Sequence, residues 1–219
     1  MYRVFSAKAV VASSFLFSLA VPARPELLSF GVKGGLPVTD AFTTGRGGPL
    51  GFFSGVNRYT VGPTVEFHLP AGLSIEFDAL YRRLNYGSDA VFPTTVTATR
   101  VTANSWEFPL LLKGRLGVGP VHPFIAGGAS FQHLSDITRI DEFFEGGARR
   151  VTETGRPAEL QNRFNAGFVI GGGVELRGGG LRLSPEFRYT RWGWDNFRDV
   201  GGLLRSNQDQ AAFLLGLTF

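Results

Sequence analysis

Cysteine is absent from this chain of 219 residues, which excludes a disulfide framework, a thiol nucleophile, a thiolate-ligated metal site and a lipid-modified N-terminal cysteine. Its three histidines stand far apart at 68, 122 and 133, too scattered to suggest a transition-metal site. Basic residues never run to five in a row. The net charge of +4 and the pI near 9.8 therefore do not predict nucleic acid as a partner. No apolar run reaches the roughly 20 residues of a spanning helix, and the mean hydropathy is only +0.06. What the chain does have is 30 glycines and 21 phenylalanines against one methionine, a balance that favours strands over helices.

The N-terminus reads as a secretory signal. Arg3 and Lys8 precede an apolar stretch over residues 9–21, and Val21-Pro-Ala23 supplies small residues for cleavage, with Ser18-Leu-Ala20 as a second candidate. The expected division is a signal peptide over 1–23 and one β-barrel domain over 24–219. The chain closes on Ala211-Ala-Phe-Leu-Leu-Gly-Leu-Thr-Phe219, where Ala211, Phe213, Leu215, Leu217 and Phe219 form one apolar face of a strand. Such an edge has to be paired, most simply by closing a barrel against the first strand.

Seven more segments alternate in the same way: 28–36, 58–69, 73–82, 106–116, 121–132, 161–177 and 181–190. The clearest sets Leu73, Ile75, Phe77, Ala79 and Tyr81 against Ser74, Glu76, Asp78, Leu80 and Arg82. Short turns at 70–72, 117–120 and 178–180 alternate with long connections at 39–57, 87–103, 133–160 and 195–207. This sorting by length predicts an all-β, eight-stranded, antiparallel up-and-down transmembrane barrel, with long loops on one side of the membrane. The glycine-rich 45–49 stretch is expected to be irregular, the 87–103 segment to extend its flanking strands, and Pro63, Pro109, Pro123 and Pro185 to mark local bulges.

A barrel of eight strands has room inside only for side chains. The bulky apolar set is therefore expected outside and the polar set inside: Lys33, Glu66, His68, Glu76, Asp78, Arg82, Glu107, Lys113, Arg115, Glu175, Arg182, Glu186 and Arg188. Seven cations, His68 included, against six acids make a near-balanced buried network. Tyr59, Tyr81, Tyr86, Trp106, Tyr189, Trp192 and Trp194 lie toward the long-loop ends, where an aromatic belt meets the headgroups; the alternative for some of the pair Trp192 and Trp194 is to cap the barrel mouth. A soluble barrel with the faces inverted around an apolar ligand is the competing arrangement.

The signal, the opening Phe30-Gly-Val-Lys-Gly-Gly-Leu36, the eight alternating segments and the terminal Phe219 resemble the small outer-membrane β-barrel family related to OmpX and the barrel domain of OmpA. The resemblance implies a monomer in a bacterial outer membrane, in contact with its lipid. It also implies that the barrel assembly machinery reads Phe213, Leu215, Leu217 and Phe219. No shared chemistry or cofactor comes with the fold, so the expected role is non-enzymatic, in envelope structure or surface contact through the four long loops.

Four motifs bear on chemistry. His133-Leu-Ser135-Asp136 resembles the His-x-Ser pair of outer-membrane lipid A deacylases, without the asparagine-containing motif around it; a polar strand end entering a loop is the reading favoured. Glu76, Asp78 and Glu66 could pair for hydrolysis, but the surrounding arginines favour a structural network. The Gly171-Gly-Gly173 and Gly178-Gly-Gly180 runs precede no helix and lack the Lys-Ser/Thr of a phosphate loop. The acidic cluster in 141–145 is read as solvated loop charge.

Overall fold

A computed structural model describes residues 27–55, 58–93, 95–117, 119–145 and 148–219; the signal expected over 1–23 lies outside them. These residues form β1 (Leu28–Pro37), β2 (Phe42–Thr44), β3 (Arg46–Gly47), β4 (Leu50–Gly55), β5 (Thr60–His68), β6 (Leu73–Asp78) and β7 (Leu80–Val91). They continue with β8 (Thr95–Arg115), β9 (Val121–Glu145), β10 (Ala148–Thr154), β11 (Phe164–Gly178), β12 (Leu181–Trp192), β13 (Leu204–Ser206) and β14 (Asp209–Thr218). Eight staves, among the described residues, close a cylinder: β1, β5, β6 continued by β7, β8, β9, β11, β12 and β14. Each pairs antiparallel with its neighbours, and the seam closes where β14 meets β1 with Leu36 opposite Phe213 and Gly31 opposite Thr218. Phe219 completes the seam through backbone bonds to Phe30 in both directions, at 3.0 and 3.2 Å.

The ladders explain why the period of two is so regular. Pro63, Pro109 and Pro123 sit within continuous register, and the same register holds on either side of Pro185. The expected bulges are therefore not at the prolines. The β8–β9 register slips instead between Thr102 and Asn104, where Asp136 adopts a left-handed backbone with φ 47°, a conformation aspartate tolerates better than most residues.

The long connections are largely strand rather than loop. The 45–49 stretch is a tight β3–β4 hairpin turned at Gly48 with φ +58°, because glycine reaches that conformation without strain. β7 and β8 stay paired out to Val91 opposite Val96, and β9 and β10 out to Glu145 opposite Ala148. Beyond the barrel these strands form one protruding sheet in the order β10-β9-β8-β7-β4-β3.

Candidate functional site

The two faces of every stave differ in kind. Pointing outward are Phe30, Val32, Ile75, Phe77, Leu110, Leu112, Ile125, Phe168, Phe187, Phe213 and Leu215, with Ile125 69% and Phe168 53% exposed. Pointing inward are Ser29, Lys33, Glu66, Glu76, Asp78, Lys113, Glu175, Glu186 and Arg188, all buried. In water, a continuous apolar girdle around a charged core would be costly on both faces. The barrel is built inside out. That is the architecture of a membrane-spanning outer-membrane β-barrel, and it removes the inverted soluble arrangement, since the apolar face is the outer one.

Above the girdle, Tyr59, Tyr81 and Trp106 form a lateral row with ring centroids 6.5 and 5.3 Å apart. Exposed Trp194 donates its indole N–H to the Phe164 carbonyl at 2.7 Å. Tyr86, expected in this belt, is instead buried, and so is Trp192, for which capping the mouth is the alternative to the belt. Both stand on inward positions of strands that run past the membrane, so they face the mouth of the cylinder.

The lumen holds one connected network. Lys33 Nζ donates to Glu76, Asp78 and Glu186, the last at 3.2 Å. Arg188 reaches the same three acids at 2.8–3.1 Å. Lys113 bridges Glu76 at 3.1 Å and Glu66 at 3.6 Å, with its ammonium 4.1 Å from the Phe124 ring centroid. Arg115 pairs with Glu66 and, at 2.8 Å, with Glu175, and Arg177 reaches Glu175 at 2.6 Å. Four buried cations thus face five buried carboxylates, and the exposed Arg177 at the rim supplies the fifth positive charge, close to the balance a water-poor interior requires. Arg82 and Glu107 pair separately at 3.1 Å, with Gln210 accepting from Arg82 at 2.8 Å. At the short-turn end Arg182 contacts Ser29 and His68 at 2.6 and 2.7 Å.

Sequence reasoning omitted Arg177, whose signal was its position two residues beyond Glu175 on the same face. It also omitted the apolar lining of Leu111, Phe124, Val169 and Leu214, which alternation alone assigns to the polar side. A cavity of about 30 Å³ separates the ionic network from the mouth, between Arg82, Glu107, Arg188, Thr190 and Gln210. It has room for a water molecule or two.

The mouth is closed by apolar packing. Phe42, Tyr86 and Phe197 meet edge to face at 5.3–5.6 Å, surrounded by Leu84, Val101, Leu134, Ile137, Leu160 and Leu204. Each such ring pair adds about 0.5–1.5 kcal/mol beyond burial. Backbone pairing laces the cover together: β13 pairs with β2, and Leu160 bridges Phe197. Arg139 pins residues 155–163 from the side, donating to Asp141 at 2.8 Å and Glu159 at 3.3 Å. Burial of Asp141 would raise its pKa, but hydrogen bonds from Arg139 and Thr99 outweigh that and hold it below the ordinary carboxylate range.

His133 and Ser135 both lie on the outward face of β9, opposite Trp106 and Asn104. The His133 ring stacks on Phe164 at 4.5 Å. Asp136 accepts from Asn104 Nδ2 at 2.8 Å, and among the described residues no carboxylate hydrogen-bonds His133.

No family model matches the chain, and no curated protein matches it. Solved structures similar to it include the outer-membrane protein OprG from Pseudomonas aeruginosa, at 12% identity over 88% of this chain and 94% of that one, with a TM-score of 0.44. Another is Neisserial surface protein A, at 12% identity over 88% and 96%, TM-score 0.39. A third is Ail, the attachment invasion locus protein of Yersinia pestis, at 8% identity over 88% and 96%, TM-score 0.35.

Proposed function

We propose that this outer-membrane barrel works without catalysis, as a closed, polar-filled cylinder that carries a protruding sheet for contacts at the cell surface. The observation that carries this reading is the double closure of the interior: a charged network fills the lumen and an apolar cover seals the mouth. A filled eight-stranded cylinder offers solutes no continuous water path, so what remains for function is the surface. Its girdle is in contact with lipid and its barrel is monomeric; Phe213, Leu215, Leu217 and Phe219 serve as the segment read by the assembly machinery. The lumen residues Lys33, Glu66, Glu76, Asp78, Lys113, Arg115, Glu175, Glu186 and Arg188 are structural in this reading.

The test compares electrophoretic mobility of protein from isolated outer membranes with and without boiling in detergent. A shift, together with an absence of steps in planar-bilayer conductance, supports the reading; recovery from the soluble periplasmic fraction overturns it. A second reading, lipid A hydrolysis by His133 and Ser135, predicts that H133A or S135A changes the acylation pattern of extracted lipid A. The stacking of His133 on Phe164 and the engagement of Asp136 by Asn104 favour no change.

A further inference from the structure

The protruding sheet ends on a strand with one open edge. Among the described residues β10 bonds only to β9 and stands at the end of the sheet order, and its seven residues, Ala148-Arg-Arg-Val-Thr-Glu-Thr154, are all exposed. An open edge of this kind is a template for another strand. Its sequence reads as charge-complementary to itself. Centred on Val151, an antiparallel pairing of two β10 strands sets Arg149 of each opposite Glu153 of the other, Arg150 opposite Thr152 and Val151 opposite Val151.

Side-chain alternation leaves few competing registers, because opposed residues must share a face. Moving the centre to Arg150 places two arginines face to face. Moving it to Thr152 sets Glu153 against Val151 and leaves Arg149 without its acid. A parallel pairing in register brings Arg149 beside Arg149 and Glu153 beside Glu153, and like charges opposed across a ladder are destabilising. Arg149 already holds Glu142 of β9 at 2.9 Å while remaining 59% exposed, so it can reach a second acid. Val151, 52% exposed, would be covered at the centre.

We propose that β10 is a homophilic interaction surface that joins two copies of this chain by antiparallel edge pairing through Arg149, Val151 and Glu153. Direction follows from topology. β9 rises out of the barrel and β10 returns toward it, so two antiparallel β10 strands return toward barrels on opposite sides of the junction. The partner therefore sits in a facing membrane, and the contact is isologous and bridges two surfaces rather than neighbours in one. This rests on the barrel spanning the membrane with its sheet outside, which the heat-dependent mobility shift tests separately.

The experiment uses the full mature chain in uncharged phosphatidylcholine vesicles, with clustering followed by light scattering and folding checked by that mobility shift. Wild-type vesicles should cluster at low ionic strength and disperse as salt screens the arginine–glutamate pairs. R149E vesicles alone and E153R vesicles alone should lose clustering. A mixture of the two should regain it, since positions 149 and 153 are then both acidic on one variant and both basic on the other. The doubly reversed R149E/E153R protein should cluster on its own. Folded wild-type protein that leaves vesicles dispersed, single reversals that still cluster, or a mixture that stays dispersed would each overturn the proposal.

Discussion

Lys33 shows what one residue contributes to the lumen. It sits 2% exposed with three carboxylates on its ammonium, so Lys33→Met strands negative charge that Arg188 and Lys113 cannot fully offset. Breaking a buried pair by removing one partner costs about 3–5 kcal/mol, and the urea midpoint of the folded barrel in detergent is expected to fall accordingly. The seam makes an equally local demand. A Cβ on Gly35 would collide with the Phe213 carbonyl, so Gly35→Val is expected to block closure and abolish the fast-migrating unboiled form on gels. Charge and alternation make residues such as Lys33 and Glu76 stand out in the sequence. The steric need at Gly35 does not show there, because a glycine's neighbours across a seam are set only once the strand ends have met.

At the scale of elements, the barrel strands and the β7–β8 extension expected over 87–103 are legible in the sequence, and the β9–β10 hairpin is not, for one physical reason. Alternation on β9 holds through Gln132 and Leu134 facing inward, then changes phase at Asp136, after which Ile137 and Asp141 face inward. Scanned in a single phase, the strand fades at His133, and a 25-residue element reads as a strand followed by a loop. Tyr86 misleads by the same route, and Trp192 stays open between two places, since aromatic residues near strand ends suit a belt and a mouth equally well until the register decides. Past the bulge, the Arg139–Asp141 pair gives the cover a pH dependence of known sign. Asp141 is held below the ordinary carboxylate range, so its contribution is complete above that range, shrinks as pH falls through it, and is gone below the depressed value. Protection of the amides in residues 155–163 against exchange, taken relative to the intrinsic rate at each pH, is expected to fall selectively in acid, below about pH 4, and D141N should show the low protection already at neutral pH.

At the scale of the whole molecule, the interior is two materials stacked end to end, ion pairs between the staves and packed rings at the mouth. Both weaken on cooling, since apolar stabilisation fades and the desolvation penalty of buried charges grows. The staves are also tied by continuous backbone ladders, whereas the cover has, among the described residues, only the short β13–β2 pairing and isolated bridges. The cover over Phe42, Tyr86 and Phe197 is thus expected to loosen in the cold while the staves stay closed. Cold exposure would turn a sealed cylinder into an open-topped cup, its floor still locked by Lys33 and Arg188.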